Sequence, residues 1–351
     1  MSDSCPQVSV LMPVYNGARF LREAMDSVLA QSFLDFEFVI IDDCSTDVTP
    51  EILRSYDDSR IVLLRNEQNL RLPATLNRGL KSCRAPLISR VDADDICLPE
   101  LLARQVALMG THPEVGVAST ACQYIDEEGR VTSTKRWPVT DDRIRLYMTW
   151  DNPMIHSGAM YRRDLVLTVG GYNEDYWCSQ DYELWSRLAN RTNLTNLGEP
   201  MMKIRSRVGG SITAGRGTAG DRLGHSIATH LLSAYLGESI PEAPATAFRR
   251  LLKRSEGLDA ADIRAAMPVV EDMLTTTRTR ETRSASAWFK RVVAGSFLRQ
   301  GQYFHMTDSG LSWEMLCRCL SVSPSRAFTP SAAGLVARLL FKKPLLALWP
   351  R

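Results

Sequence analysis

The sequence predicts an α/β protein built on a doubly wound, mostly parallel sheet, followed by a helical appendix. Two patterns carry this expectation. From Val8 onward, short apolar runs alternate with segments of helical periodicity, as in strand-helix-strand units. Beyond "GGSITAGRGTAGD" at residues 209–221, a stretch holding five glycines, the patterns are helical.

The elements follow in order. "VSVLMPV" is a strand stopped near Pro13. Phe20, Leu21, Ala24, Met25, Val28 and Leu29 then recur at the spacing of one buried helix face. "FEFVIIDD" is a second strand, and "TPEILRSY" opens a helix with Thr49 as N-cap and Pro50 at the first helical position. "RIVLLRN" and "PLISRVD" supply two further strands, with a helix from Pro73 to Lys81 between them. "LPELLARQVALMG" is another proline-initiated helix. After it come strand-like "EVGVASTAC", a turn at "DEEGR" and a second strand-helix stretch from Met154 to Asn190. The glycine-rich stretch reads as a loop or linker and divides the chain into a domain at 1–218 and a helical region at 219–351. "GHSIATHLLSAYLG" and "DAADIRAAMPVVEDML" are its clearest helices.

With 44% apolar and 23% charged residues, the 351-residue chain has the balance of a globular protein large enough for a substantial core. Its 42 basic and 40 acidic residues leave a net charge of +2, too little for a general nucleic-acid surface. The eight cysteines are scattered without a paired framework, which suits reduced thiols in the cytoplasm. The polar start "MSDSCPQ" does not read as a secretory signal, and no apolar run reaches the roughly 18 residues of a membrane span.

Ligands of a doubly wound sheet settle outside the carboxyl ends of its strands, and here that edge is acidic. One strand ends in Asp42 and Asp43, another in Asp92-Ala93-Asp94, with Asp95 following. Neither GxGxxG nor GxxxxGK[ST] is present, so a dinucleotide oxidoreductase and a P-loop phosphotransferase lose their main support. A divalent cation is another device for gripping a diphosphate, since Mg²⁺ takes one or two carboxylates and fills its other positions with water and phosphate oxygens. An isolated DxDD also serves as a capped turn before the Pro99 helix.

The neighbouring segments "VSVLMPVYNGARFLREAMDSVLAQSF", "FVIIDDCSTDVTPEIL", "NLRLPATLNRGL" and "LISRVDADDICLPELLARQV", then "NPMIHSGAMYRRDL", "VGGYNEDY" and "QDYELWSRL", resemble family 2 glycosyltransferases over residues 7–213. The resemblance implies a GT-A fold, a Rossmann-like sheet that binds a nucleotide sugar, most commonly UDP-linked, with Mn²⁺ or Mg²⁺. It assigns Pro13, Tyr15, Asn16, Asp42, Asp43, Arg71 and Asp92 to the nucleotide, and Asp92 and Asp94 to the metal. Asp42 matches the carboxylate that holds the base. Arg71 and Cys44 stand where many relatives carry glycine.

Asp181, in the first turn of a helix that Ser179 would cap, matches the catalytic base of an inverting transfer, where a carboxylate is favoured by the helix dipole. His156 falls in a segment that lies near the acceptor in relatives. At "MKIRSRVGGSIT", Ile204 and Arg207 replace the Tyr and His of a Tyr-Arg-x-His pattern, which puts a third protein metal ligand in doubt. The resemblance thus implies transfer to a hydroxyl of a glycan or lipid-linked saccharide in cell-surface polysaccharide biosynthesis. A sugar nucleotidyltransferase and a non-catalytic saccharide- or nucleotide-binding scaffold are the alternatives. The basic, apolar end "GLVARLLFKKPLLALWPR" suits an interfacial segment on the cytoplasmic face of a membrane, or a tail packed on the helical region.

Overall fold

A computed structural model of the chain describes residues 5–206, 217–253, 258–304, 309–325, 329–333 and 335. Most of the glycine-rich stretch, Arg207 and the basic end of the chain lie outside the described residues. Packing divides the chain into two compact units, Met1–Arg145 with Asn152–Ile227, and Leu146–Asp151 with Ala228–Arg351.

The first unit holds a single sheet. Its strands are β1 (Val8–Val14), β2 (Phe36–Asp42), β3 (Ile61–Arg65), β4 (Leu87–Arg90), β5 (Ile96–Cys97), β6 (Val115–Ile125), β7 (Val131–Lys135), β8 (Ala159–Arg162) and β9 (Asn193–Arg205). They run in the order β3-β2-β1-β4-β8-β6-β9-β5, with β7 paired to β6. The β3-β2-β1-β4 half is parallel; β8 then joins antiparallel to both β4 and β6, and β6 pairs β9 in parallel. Strands β1 and β2 are buried along their whole length, the signature of a sheet covered on both faces.

The helices α1 (Leu21–Leu29), α2 (Thr49–Arg54), α3 (Leu72–Ser82) and α4 (Leu101–Thr111) connect the early strands. Then come α5 (Asp141–Met148), α6 (Arg163–Thr168) and α7 (Gln180–Leu188). In α1, Leu21, Ala24, Met25 and Val28 are buried as the periodicity requires. Helix α2 begins at Thr49 with Pro50 in its first turn, so Thr49 lies inside the helix rather than at its cap. Its N–H is taken by Asp47 Oδ1 at 3.0 Å, which frees the Thr49 hydroxyl for a contact described below. The turn at "DEEGR" is a hairpin between β6 and β7, closed by Gly129 donating to Asp126 O at 3.1 Å.

A buried carboxylate ties the early strands together. Glu37 of β2 accepts from Ser9 Oγ at 2.6 Å and from the Arg84 N–H at 2.7 Å, and pairs with Arg84 Nε at 2.8 Å. Burial alone would raise its pKa, but these donors more than offset that, and the carboxyl sits below its ordinary range.

The second unit is helical: α8 (Gly217–Leu236) from Ala228 on, then α9 (Glu242–Lys253), α10 (Ala260–Arg280), α11 (Arg283–Phe304) and α12 (Ser309–Val322). Trp150, supplied from the short 146–151 excursion, is buried here, stacked 6.2 Å from Trp288 and edge-on to Phe248 at 6.4 Å. Arg249 Nε donates to Trp150 O at 2.9 Å. Helix α10 starts with a capping box in which Asp262 N donates to Asp259 Oδ1 at 2.8 Å. No helix among the described residues is long and apolar enough to cross a membrane. None of the eight cysteines forms a disulfide.

Gly158 joins β4 to the antiparallel half. Its N–H donates to Arg90 O at 2.7 Å and its carbonyl accepts from Gln105 Nε2 at 2.7 Å. Its φ of +88° is left-handed, and a Cβ there would collide with Met202 Cγ. Gly158→Ala is therefore expected to lower stability by about 1–3 kcal/mol in denaturant titrations, from backbone strain and overpacking together.

Candidate active site

The parallel strands discharge their loops along one edge. Asp43 N donates to Val14 O at 2.8 Å, Asn66 N to Asp42 O at 2.8 Å and Val91 N to Leu11 O at 3.1 Å. Strand β1 stands between β2 and β4, so the chain departs to opposite sides of it, the switch point at which such sheets bind ligands. The loops after β1, β2, β3 and β4 carry Tyr15 and Asn16, Asp43, Arg71, and Asp92 and Asp94.

The first two loops are laced together. Asn16, at φ +49°, donates from its N–H to Ser45 Oγ at 2.9 Å and accepts the Thr46 N–H on Oδ1 at 2.8 Å. Gly17 N donates to Thr49 Oγ1 at 2.9 Å, the contact that the α2 start makes available. Tyr15 is half exposed at 50%, an aromatic ring left at the strand edge. Pro13 is buried within β1. Strand β4 pairs β1 only as far as Leu11, so on that side no ladder bond is asked of the proline.

Asp42 is buried; its Oδ1 accepts the Ser45 N–H at 2.9 Å and its Oδ2 lies 3.5 Å from Arg65 Nη1. Asp43 is a loop builder. It accepts Asn66 Nδ2 at 2.5 Å, Leu70 N at 2.8 Å and Arg71 N at 3.0 Å. These bonds hold Arg71 at φ +68°, ψ 165°, a region that only glycine enters without strain. The Arg71 side chain is exposed.

The acidic turn divides its carboxylates. Asp92 and Asp94 are partly exposed, whereas Asp95 is buried and accepts the Arg205 N–H at 2.9 Å. Burial, with the charges of Asp92 and Asp94 beside it, pushes the Asp95 carboxyl well above the usual range. Two buried arginines face the turn. Arg205 of β9 donates through Nε to Asp94 O at 3.1 Å and through Nη1 to the carbonyls of Asp126 and Glu127, both at 3.0 Å. It also pairs with Glu23 at 2.5 Å. Arg90 of β4 places Nη1 2.5 Å from Asp92 Oδ2. Ser157 Oγ accepts the Asp92 N–H at 3.0 Å.

No group of three or more His, Cys, Asp or Glu among the described residues is arranged to hold a metal ion. The pair Asp92 and Asp94 fits a different kind of site, one in which a hard cation takes two carboxylates and completes its shell with substrate phosphates and water.

Asp181 lies in the first turn of α7, where Asn152 Nδ2 donates to its Oδ2 at 2.8 Å. Leu184, Trp185 and Leu188 are fully buried on the helix's inward face. Ser179 takes the N-cap position but in a left-handed conformation, φ +59°, and its side chain makes no capping bond, contrary to the expected cap. His156 is a buried ring with Nε2 2.9 Å from the Tyr172 hydroxyl, which is 3.1 Å from that of Tyr161. Burial and the Arg90 charge push His156 well below its usual pKa, so it is neutral. Both Asp181 and Asp92 act electrostatically on the Tyr172 phenol.

Sequence reasoning missed Arg90, Asn152, Tyr172 and Arg205. A charged residue inside the apolar run "LISRV" was the available signal for Arg90.

Residues 9–170 match the model of "Glycosyl transferase family 2". The chain is 32% identical over 203 residues to the amylovoran biosynthesis glycosyltransferase AmsE of Erwinia amylovora, covering 56% of this chain and 76% of the relative. It is 27% identical over 205 residues to the O-antigen biosynthesis glycosyltransferase WbnJ of Escherichia coli, covering 56% and 79%. Among solved structures it resembles S. aureus TarS 1–349 in complex with UDP-GlcNAc, with a TM-score of 0.56 at 17% identity over 91% of each chain. That likeness is one of GT-A-type fold.

Replacing the strained Arg71 by glycine is expected to raise stability by about 1 kcal/mol, read as a shifted denaturant midpoint at constant slope.

Proposed function

The chain belongs to glycosyl transferase family 2, and from that premise we propose that it moves a sugar from a UDP-linked donor to a hydroxyl of a glycan or lipid-linked saccharide. The transfer is an inverting displacement supported by Mn²⁺ or Mg²⁺. The names of the AmsE and WbnJ relatives support a place in polysaccharide biosynthesis, in the cytoplasm where nucleotide sugars are made. The carrying observation is that the loop after β4 presents two partly exposed carboxylates, Asp92 and Asp94, at the strand edge, while Asp181 stands in the first turn of α7.

In this reading the loops after β1, β2 and β3 receive the nucleotide. Tyr15 and Asn16 border it, and Asp42 fixes the base. Pro13 sets where the first loop leaves its strand, and Asp43 shapes the loop that presents Arg71 to the diphosphate. Asp92 and Asp94 would hold the divalent cation, which when bound offsets the charge that grows on the departing diphosphate. Asp181 takes the proton of the acceptor hydroxyl as its oxygen attacks the anomeric carbon; the bond to the diphosphate breaks on the opposite face and its electrons leave with the nucleotide. Asn152 fixes the orientation of the base. An acceptor attached to lipid would bring the enzyme to a membrane surface, for which the basic end of the chain is suited.

Asp94→Ala is expected to abolish Mn²⁺- or Mg²⁺-dependent binding across a panel of nucleotide sugars, measured by calorimetry. Unchanged metal-dependent affinity would remove the turn from the site. Asp181→Asn is expected to bind donor as the wild type does while transfer falls by about 10²–10⁴-fold, the usual contribution of a positioned base. Full turnover in that variant would show that another group takes the proton.

A further inference from the structure

Arg90 occupies an unusual place for a cation. It ends β4, a strand flanked by β1 and β8, and its side chain is 1% exposed while that of its ion-pair partner Asp92 is 39% exposed. Its Nε has no hydrogen-bond acceptor among the described residues. The guanidinium is therefore held in the sheet mainly by its ion pair with Asp92, Nη1 to Oδ2 at 2.5 Å. A guanidinium stays protonated in proteins, so the charge is permanent.

The other buried cation at the turn, Arg205, has its own carboxylate in Glu23. Arg90 has only the turn. Of the two partly exposed carboxylates that would hold the ion, Asp92 and Asp94, one is therefore already paired, its Oδ2 2.5 Å from a buried guanidinium. A divalent ion arriving alone meets a carboxylate already paired and a buried positive charge across Asp92. The same ion carrying a diphosphate brings enough negative charge to overcome both.

We propose that Arg90 is a positioning residue that makes cation binding at Asp92 and Asp94 conditional on a nucleoside diphosphate, by acting as a built-in counter-ion for Asp92 until the two arrive together. The proposal rests on the metal-dependent reading of the turn given above.

The test is direct Mn²⁺ binding to the full chain, followed by loss of the free-ion electron paramagnetic resonance signal, with and without UDP. Wild type is expected to bind Mn²⁺ at least about tenfold more tightly with UDP than alone, an ordinary coupling between two ligands. Arg90→Met is expected to bind Mn²⁺ alone about tenfold more tightly than wild type, with the advantage of UDP correspondingly reduced. A side chain that merely held the fold together would, when lost, weaken binding instead. Arg90→Lys keeps the charge and is expected to behave as wild type.

Unchanged or weaker binding of free Mn²⁺ by a folded Arg90→Met overturns the proposal while leaving the metal-dependent reading intact. Equal affinity of wild type for Mn²⁺ with and without UDP overturns it whatever the variants do, including where Arg90→Met does not fold. Absence of Mn²⁺ binding in the presence of UDP removes both the proposal and the reading beneath it.

Discussion

Carboxylates crowded into one turn repel one another, and much of the first unit is arranged around that repulsion. Asp95 is drawn inward to the Arg205 backbone, where it is pushed toward its neutral form. The remaining pair faces Arg90 and Arg205, cations contributed by two different strands. Buried charges of this kind stabilise little against a well-packed apolar alternative. Their use here is geometric: Asp92 and Asp95 each have a fixed partner, and Arg205 holds the Asp94 carbonyl. The antiparallel half of the sheet takes part in this, since β8 pairs with β4 at Arg90 and the segment before it brings Ser157 to the Asp92 N–H.

Backbone strain is distributed with the same selectivity. Among the described residues, the non-glycine positions with positive φ are Asn16, Cys44, Arg71 and Ser179. The first three lie in the loops that leave β1, β2 and β3, and the fourth adjoins the helix that carries Asp181. Two of them, Asn16 and Arg71, are over-determined by their surroundings in a way a free loop would not be. Asn16 is bonded at both its N–H and its amide oxygen, and Arg71 is pinned by the Asp43 carboxylate. Strain that persists only at such places reflects loops built to a required shape, with stability given up locally to hold it.

The parallel strands and their connecting helices were legible because burial on both faces writes continuous apolar runs, and helix faces repeat at their own period. Asp92 and Asp94 stood out for a related reason, as charge directly after an apolar run. Thr49 was misplaced by one position because the helix already includes it, with its N–H taken by Asp47, and local propensity does not separate the two. The pairing of β6 with β9 joins residues far apart in sequence, which no local pattern announces. Arg90 was hidden for the opposite reason: inside a strand it breaks the apolar pattern, and only its ion pair explains it.

Trp150 belongs to the helical unit, yet it is encoded between two stretches of the sheet-bearing one. The helical unit is therefore discontinuous, with a rivet of six residues set early in the gene and its remaining helices appended much later. Recombination that grafted a foreign C-terminal region onto this chain would leave the rivet behind, facing helices that had not evolved to enclose an indole. Exchange of modules in this lineage would have to carry both pieces at once.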